Sequence, residues 1–213
     1  GRRVVCEAAD VDWTTSALTS KDTEILEILD TRVDGPLQAS LARLRVTEKV
    51  IGFERRRIHG WERLGQEELD LPPNVFETVG LFYRAPRDLE KVFLDAGLHF
   101  MGSLHASEHA AISLLPLLAI CDRGDLGGIS MPFHPQVGCG AVFIYDGHPG
   151  GVGIAERGFR DLPEWLGRVL DLLSTCPCED GCPACIQSPK CGNGNRPLDK
   201  AGAARLLRLL LGR

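Results

Sequence analysis

The sequence predicts an α/β fold of the α+β kind: an N-terminal stranded region, a central helical core and a C-terminal helix pair tied by four cysteines. Three observations carry that reading. Leu41, Arg43, Arg45 and Thr47 alternate with Ala42, Leu44 and Val46, the period of a two-faced strand. Beyond Pro86 the apolar spacing lengthens to that of helices. Five of the eight cysteines then fall within residues 176–191, between two segments of helical spacing.

Taken in order, strands are expected over residues 3–8, 24–33 and 41–58, the last broken near Glu48, with Gly35-Pro36 as the turn before it. Leu71-Pro72-Pro73 ends one element, and the β-branched and aromatic residues of 75–83 begin another strand. Helices are expected over 88–96 and 98–120, the second long, largely apolar and kinked at Pro116. The chain after Cys121 is glycine-rich until residues 141–145, a short buried strand, and 146–153 form a tight loop. Helical spacing returns at 162–173 and 199–211. Residues 1–213 therefore read as a single accessory domain: 1–85 mainly strands, 86–175 a helical core with short strands, 176–213 a cysteine loop and final helix.

A hydrophobic content of 44 % and a charged content of 25 % are ordinary for a globular protein and exclude a disordered or fibrous chain. The absence of an initial methionine and of a secretory leader points to a piece of a longer protein. The longest apolar stretch, residues 110–121, falls short of the roughly 18 residues a membrane span needs. A soluble, cytoplasmic protein without a membrane partner is expected. The net charge of −5 argues against coating nucleic acid by bulk charge. Basic residues nevertheless outnumber acidic ones, seven to three, in 40–64 and, nine to six, in 157–213, while 65–156 hold four against twelve. Nucleic-acid contact should use the two basic regions.

The strongest chemical signal is Cys176-Pro-Cys178-Glu-Asp-Gly-Cys182-Pro-Ala-Cys185. A C-x-x-C turn such as Cys182–Cys185 presents two sulfurs to one side of an ion, Cys176 and Cys178 supply the other pair, and Gly181 lets the chain reverse between them. Four thiolates close a tetrahedral site, so one structural zinc ion is expected. An iron–sulfur cluster, disulfides or free thiols are the alternatives, and Cys191 is the alternative to Cys176 as fourth ligand. Clustering of this kind favours a metal in a reduced compartment, whereas Cys6, Cys121 and Cys139 are expected to be small buried hydrophobes.

Three further motifs are weaker. His105-Ala-Ser-Glu108-His109 has the H-x-x-E-H order of a zinc hydrolase, with both histidines on one helical face, yet no third ligand is visible downstream; packed or hydrogen-bonded core histidines are the preferred reading. The loop from Asp146 to Gly153 is glycine-rich but lacks the G-K-[ST] ending, so no ATP site is expected. Arg55, Arg56, Arg57 and Trp61 join cations to an aromatic, the mixture that phosphate contact and base stacking use, or else mark a charged strand edge.

Read together in order, Glu7-Ala-Ala-Asp-Val-Asp-Trp13, Glu48-Lys-Val-Ile-Gly-Phe53, Leu69-Asp-Leu-Pro-Pro73, His105-Ala-Ser-Glu-His-Ala110, Asp146-Gly-His-Pro-Gly-Gly-Val-Gly153 and the cysteine block to Asn193 cover most of the chain. In these the sequence resembles the C-terminal zinc-binding domain of MrfA-type superfamily II DNA helicases, bacterial relatives of the RecQ-four-like repair helicases. The resemblance implies a domain that follows two RecA-like motor domains of the same chain, which hold the ATP site and move 3′ to 5′. It implies a role in DNA repair, with single-stranded or 3′-overhang DNA bound through the full-length helicase. It carries zinc ligation to Cys176, Cys178, Cys182 and Cys185, while Cys191 appears in only part of the family. The domain itself is expected to lack catalysis, its rival readings being the histidine-based hydrolase and a protein-interaction platform.

Overall fold

In a computed structural model that describes residues 5–60 and 62–213, a six-stranded antiparallel sheet carries the helices on one face. Strands β1 (Trp13–Asp34) and β2 (Leu37–Arg57) form a long hairpin closed at Gly35, whose φ of +56° suits a residue without a Cβ. β4 (Asn74–Ala85) pairs with the first half of β2, and β3 (Arg63–Glu68) with its far end. β5 (Leu126–His134) and β6 (Cys139–Asp146) complete the order β1-β2-β4-β6-β5. Among the described residues the helices are α1 (Arg87–Asp95), α2 (Phe100–Leu114), α3 (Ile154–Arg160), α4 (Leu162–Thr175) and α5 (Lys200–Leu210).

The alternation of β2 separates two cores. Leu37 and Ala39 join Leu81, Tyr83, Val142 and Ile144 beneath the helices, against Leu104, Trp165 and Leu207. Ala42, Leu44 and Val46 face the other way, onto Phe82, Phe143 and Tyr145. That second core is enclosed because the sheet curls until its edges meet. The Ile25 N–H donates to Gln136 Oε1 at 2.8 Å, and Gln136 Nε2 donates back to Ile25 O at 2.9 Å. The side-chain amide thus takes the place of a paired strand residue. Helix α2 is buried along residues 102–111, with α4 and α5 packed on it. The Trp165 indole N–H donates to Ala111 O at 3.1 Å.

Several expectations need correction. Residues 5–8 carry no regular structure and are exposed, while Arg3 and Val4 lie outside the described residues. β1 begins at Trp13, far before the expected residue 24, and β2 is continuous through Glu48, where its partner changes from β4 to β3. Pro116 ends α2 in a 3₁₀ turn instead of kinking a longer helix, since it has no N–H to donate. The glycine-rich stretch after Cys121 contains β5, where a Cβ on Gly127 would lie 2.2 Å from the Tyr145 ring and one on Gly128 2.7 Å from Glu108 Oε1. Those glycines make room for neighbours; they do not mark a loop. Of the three scattered cysteines Cys139 is buried, Cys121 half-buried and Cys6 exposed. No helix among the described residues is long and apolar enough to cross a membrane.

Candidate metal centre

Helix α4 ends at Cys176, whose backbone turns out of the helix at φ −64° and ψ 125°. The chain then reverses at Gly181, φ +104°, where a Cβ would meet Ile186 Cδ1 at 2.3 Å. Cys182 starts a tight turn in which its carbonyl accepts from the N–H groups of Cys185, Ile186 and Gln187 at 3.0–3.1 Å. Its own N–H points at Cys185 Sγ, 3.3 Å away, as backbone donors do around a coordinating thiolate. Four sulfurs converge as a result. Cys176 Sγ lies 3.6 Å from both Cys178 Sγ and Cys182 Sγ, Cys185 Sγ lies 3.5 Å from Cys178 Sγ, and it lies 3.7 Å from Cys182 Sγ.

Those spacings separate a zinc site from a disulfide. A disulfide holds its sulfurs at about 2.05 Å. A zinc tetrahedron with bonds of about 2.3 Å has edges of about 3.8 Å. The four-cysteine cluster fits one structural zinc ion. Its surroundings also suit the excess negative charge that four thiolates bring to a divalent ion. The buried Lys200 ammonium, at the start of α5, donates to Cys176 O at 2.7 Å and to Cys178 O. Burial pushes Cys185 up to about 12, whereas hydrogen bonds from Cys185, Cys176 and Lys200 outweigh burial at Cys178 and draw it down to about 7. Cys191, the alternative fourth ligand, is not in this group: Cys176 completes it.

Cys191 sits instead against helix α2. Its Sγ lies 3.4 Å from His105 Nε2 and accepts from the Asn195 N–H at 3.2 Å. His105 and His109 are buried, their rings 4.3 Å apart, and their Nδ1 atoms face Pro197 O at 2.8 Å and Ile186 O at 2.7 Å. Both are therefore hydrogen-bonded in the interior, as the sequence suggests. Glu108 turns the other way, toward β5, where burial raises its carboxyl above the ordinary range and a hydrogen bond to Ser130 opposes that rise. A cleft of about 730 Å³ opens between α2, β5, the 187–193 loop and residues Thr19, Lys21 and Ile51 of the hairpin.

The glycine-rich loop after β6 is closed to phosphate. Asp146, fully buried, accepts at its carboxylate from the N–H groups of Val152, Gly153, Ile154 and Ala155 at 2.6–3.3 Å. Its own carboxylate fills the anion position at the start of α3. Arg55, Arg56 and Arg57 lie at the end of β2, each ion-paired: Arg55 with Glu67, Arg56 with Glu54, Arg57 with Asp12 and Glu62. Trp61 lies outside the described residues. Trp13 faces Arg57 across the hairpin, and the Arg55 guanidinium stands 5.5 Å from its ring. Pattern reading along β2 passes over that aromatic because its partner is 42 residues away in the chain.

The family profile of the MrfA Zn-binding domain matches residues 107–186, from α2 through the cysteine turn. The uncharacterized protein MJ1572.1 of Methanocaldococcus jannaschii is 40 % identical over 111 residues, 51 % of this chain and 99 % of that protein. The uncharacterized ATP-dependent helicase YprA of Bacillus subtilis is 26 % identical over 87 % of this chain, which spans 24 % of its length. In fold, a crystal structure of the DUF1998 helicase MrfA bound to DNA is similar with a TM-score of 0.66 at 24 % identity, over 95 % of this chain and 26 % of that one. With the archaeal protein matched end to end and the profile running through the cysteine turn, the chain belongs to the MrfA Zn-binding domain family.

Proposed function

We propose that the chain is a single accessory domain of an ATP-dependent 3′-to-5′ DNA helicase acting in DNA repair in the bacterial cytoplasm. Cys176, Cys178, Cys182 and Cys185 hold its zinc, and it works beside RecA-like motor domains of the same chain. The observation that carries this reading is the four-sulfur tetrahedron joining α4 to α5 within a chain whose longer relatives are helicases. The zinc fixes the helical layer so that the domain meets DNA and the motors as a rigid body. With the loop after β6 filled by Asp146, the domain supplies no ATP site; hydrolysis belongs to the motors.

DNA is held by Arg55, Arg56 and Arg57, at the far end of the β1–β2 hairpin, together with Trp61. The ion pairs seen there do not oppose this role. The exposed pairs of Arg55 and Arg57 are worth about 0–1 kcal/mol each, so a phosphate displaces their carboxylates at little cost. In the full-length helicase, replacing all four residues should weaken 3′-overhang binding and flatten its salt dependence. Trp61→Ala alone should cost roughly tenfold, since a stacked base contributes about 1–3 kcal/mol. Unchanged affinity and salt slope would leave the segment a charged strand edge. Cys182→Ser should stop unwinding while the motors still hydrolyse ATP; coupled unwinding in that variant would remove the accessory role.

A further inference from the structure

We propose a second zinc site, formed by His105 Nε2, His109 Nε2 and Cys191 Sγ, distinct from the four-cysteine centre and independent of the helicase reading. A ring nitrogen of each histidine and Cys191 Sγ lie within 4.8 Å of one another. The His105–Cys191 separation of 3.4 Å compares with about 3.6 Å for nitrogen and sulfur on a tetrahedral zinc with bonds of about 2.0–2.1 and 2.3 Å.

The histidines are oriented as ligands are. A carbonyl oxygen can only accept, so Pro197 O and Ile186 O fix the ring protons on Nδ1 and leave both Nε2 atoms with a lone pair. The Asn195 N–H supports the sulfur from behind, the same arrangement that Cys182 N gives Cys185 in the first site. One thiolate with two imidazoles suits zinc. Three protein ligands leave a fourth position, and His105, His109 and Cys191 all line the 730 Å³ cleft through which an ion and a water molecule reach it. Glu108 lines the same cleft but packs against Gly128 of β5, faces Ser130 and is not one of the three ligand groups. The site is therefore a clamp of the 187–195 loop onto α2 and not the hydrolytic centre that H-x-x-E-H suggests.

Metal content and ligand type test this directly. The 213-residue chain, stripped, reloaded with zinc and dialysed, should hold two zinc ions. Zinc X-ray absorption should show on average about 2.5 sulfurs and one imidazole nitrogen per ion, the mean of an all-sulfur and a one-sulfur, two-nitrogen site. A weak chelator should remove one equivalent well before the other. Cys191→Ser should hold one zinc with an all-sulfur shell, and His105→Ala should match it. Cys182→Ser should instead lose the all-sulfur component, which separates failure of the first centre from failure of the second. A wild-type chain that binds a single all-sulfur zinc overturns the proposal, as does Cys191→Ser retaining two ions with an unchanged spectrum.

Discussion

Glu108 shows how a single side chain can resemble a functional group and act as a stability term. Its carboxyl is buried, and desolvation raises its proton affinity in the folded state despite the opposing hydrogen bond to Ser130. The sign follows from linkage. The folded chain holds a proton that the unfolded chain releases above about pH 4.3, so stability is lost as pH rises from that value through the folded one. Glu108→Gln removes this loss. It should raise Tm at pH 7–8 by a few degrees, with about 2–4 °C corresponding to each kcal/mol for a chain of this size, and the gain should shrink toward pH 5.5. Equal Tm differences across that range would show that no proton is linked to folding there. Of this neighbourhood, the His105-Glu108-His109 spacing is legible in the sequence because a helix places i and i+4 on one face. The approach of Cys191 is not, because 86 residues separate it from His105 and only the packing of the 187–195 loop on α2 brings them together. Likewise the alignment of Trp13 with Arg57 depends on a hairpin register that begins at Gly35 and passes three bulges.

Among the elements, those whose apolar period is repeated are the legible ones. α1, α4 and α5 appear within one or two residues of their expected spans, and β4 within two. β5 was hidden because Gly127 and Gly128 hold no side chains to display a period of two, their space being occupied by Tyr145 and Glu108. β3 and α3 carry too few residues to show one. The close crossing of α2 and α5 has the same origin and can be tested. A Cβ on Gly202 would lie 1.9 Å from Ser103 Oγ and 2.9 Å from the Asp199 carboxylate that accepts from the Gly202 N–H at the start of α5. By propensity alone Gly202→Ala should stabilise the helix by about 1 kcal/mol. Contact should win: we expect Gly202→Ala to lower stability by about 1–3 kcal/mol in denaturant melts, the range for overpacking. Ser103→Gly in that background should recover part of the loss, because it removes the nearest obstruction. A neutral or stabilised Gly202→Ala would mean that the two helices separate freely.

At the scale of the whole molecule, the two cores respond differently to loss of the metal. Cys185 and Ile186 belong to the core beneath the helices, together with Leu166, Leu170, Leu206 and Leu207 of α4 and α5. The other core, around Leu44, Phe82 and Phe143, is built from the strands and the β5–β6 turn and shares none of these residues. Structural zinc contributes on the order of 10 kcal/mol in small zinc modules, comparable with the whole stability of about 5–15 kcal/mol of a domain. Chelation should therefore open the helical layer rather than only the cysteine turn, while the curled sheet keeps much of its strand pairing. Trp165 reports on this, being fully buried in α4 with its indole N–H on Ala111 O. In a chain with Trp13 and Trp61 replaced by phenylalanine, removal of zinc by a strong chelator at pH 7.5 should shift the Trp165 emission to the red and lower the helical circular dichroism. The β-sheet contribution should persist, and zinc should restore the spectrum. Cys185→Ser should give the chelated spectrum without chelator, or leave the protein insoluble. If the metal-free chain keeps a blue Trp165 emission and melts in one transition at an unchanged temperature, the hydrophobic contacts of α4 and α5 suffice alone, and the zinc merely decorates the turn.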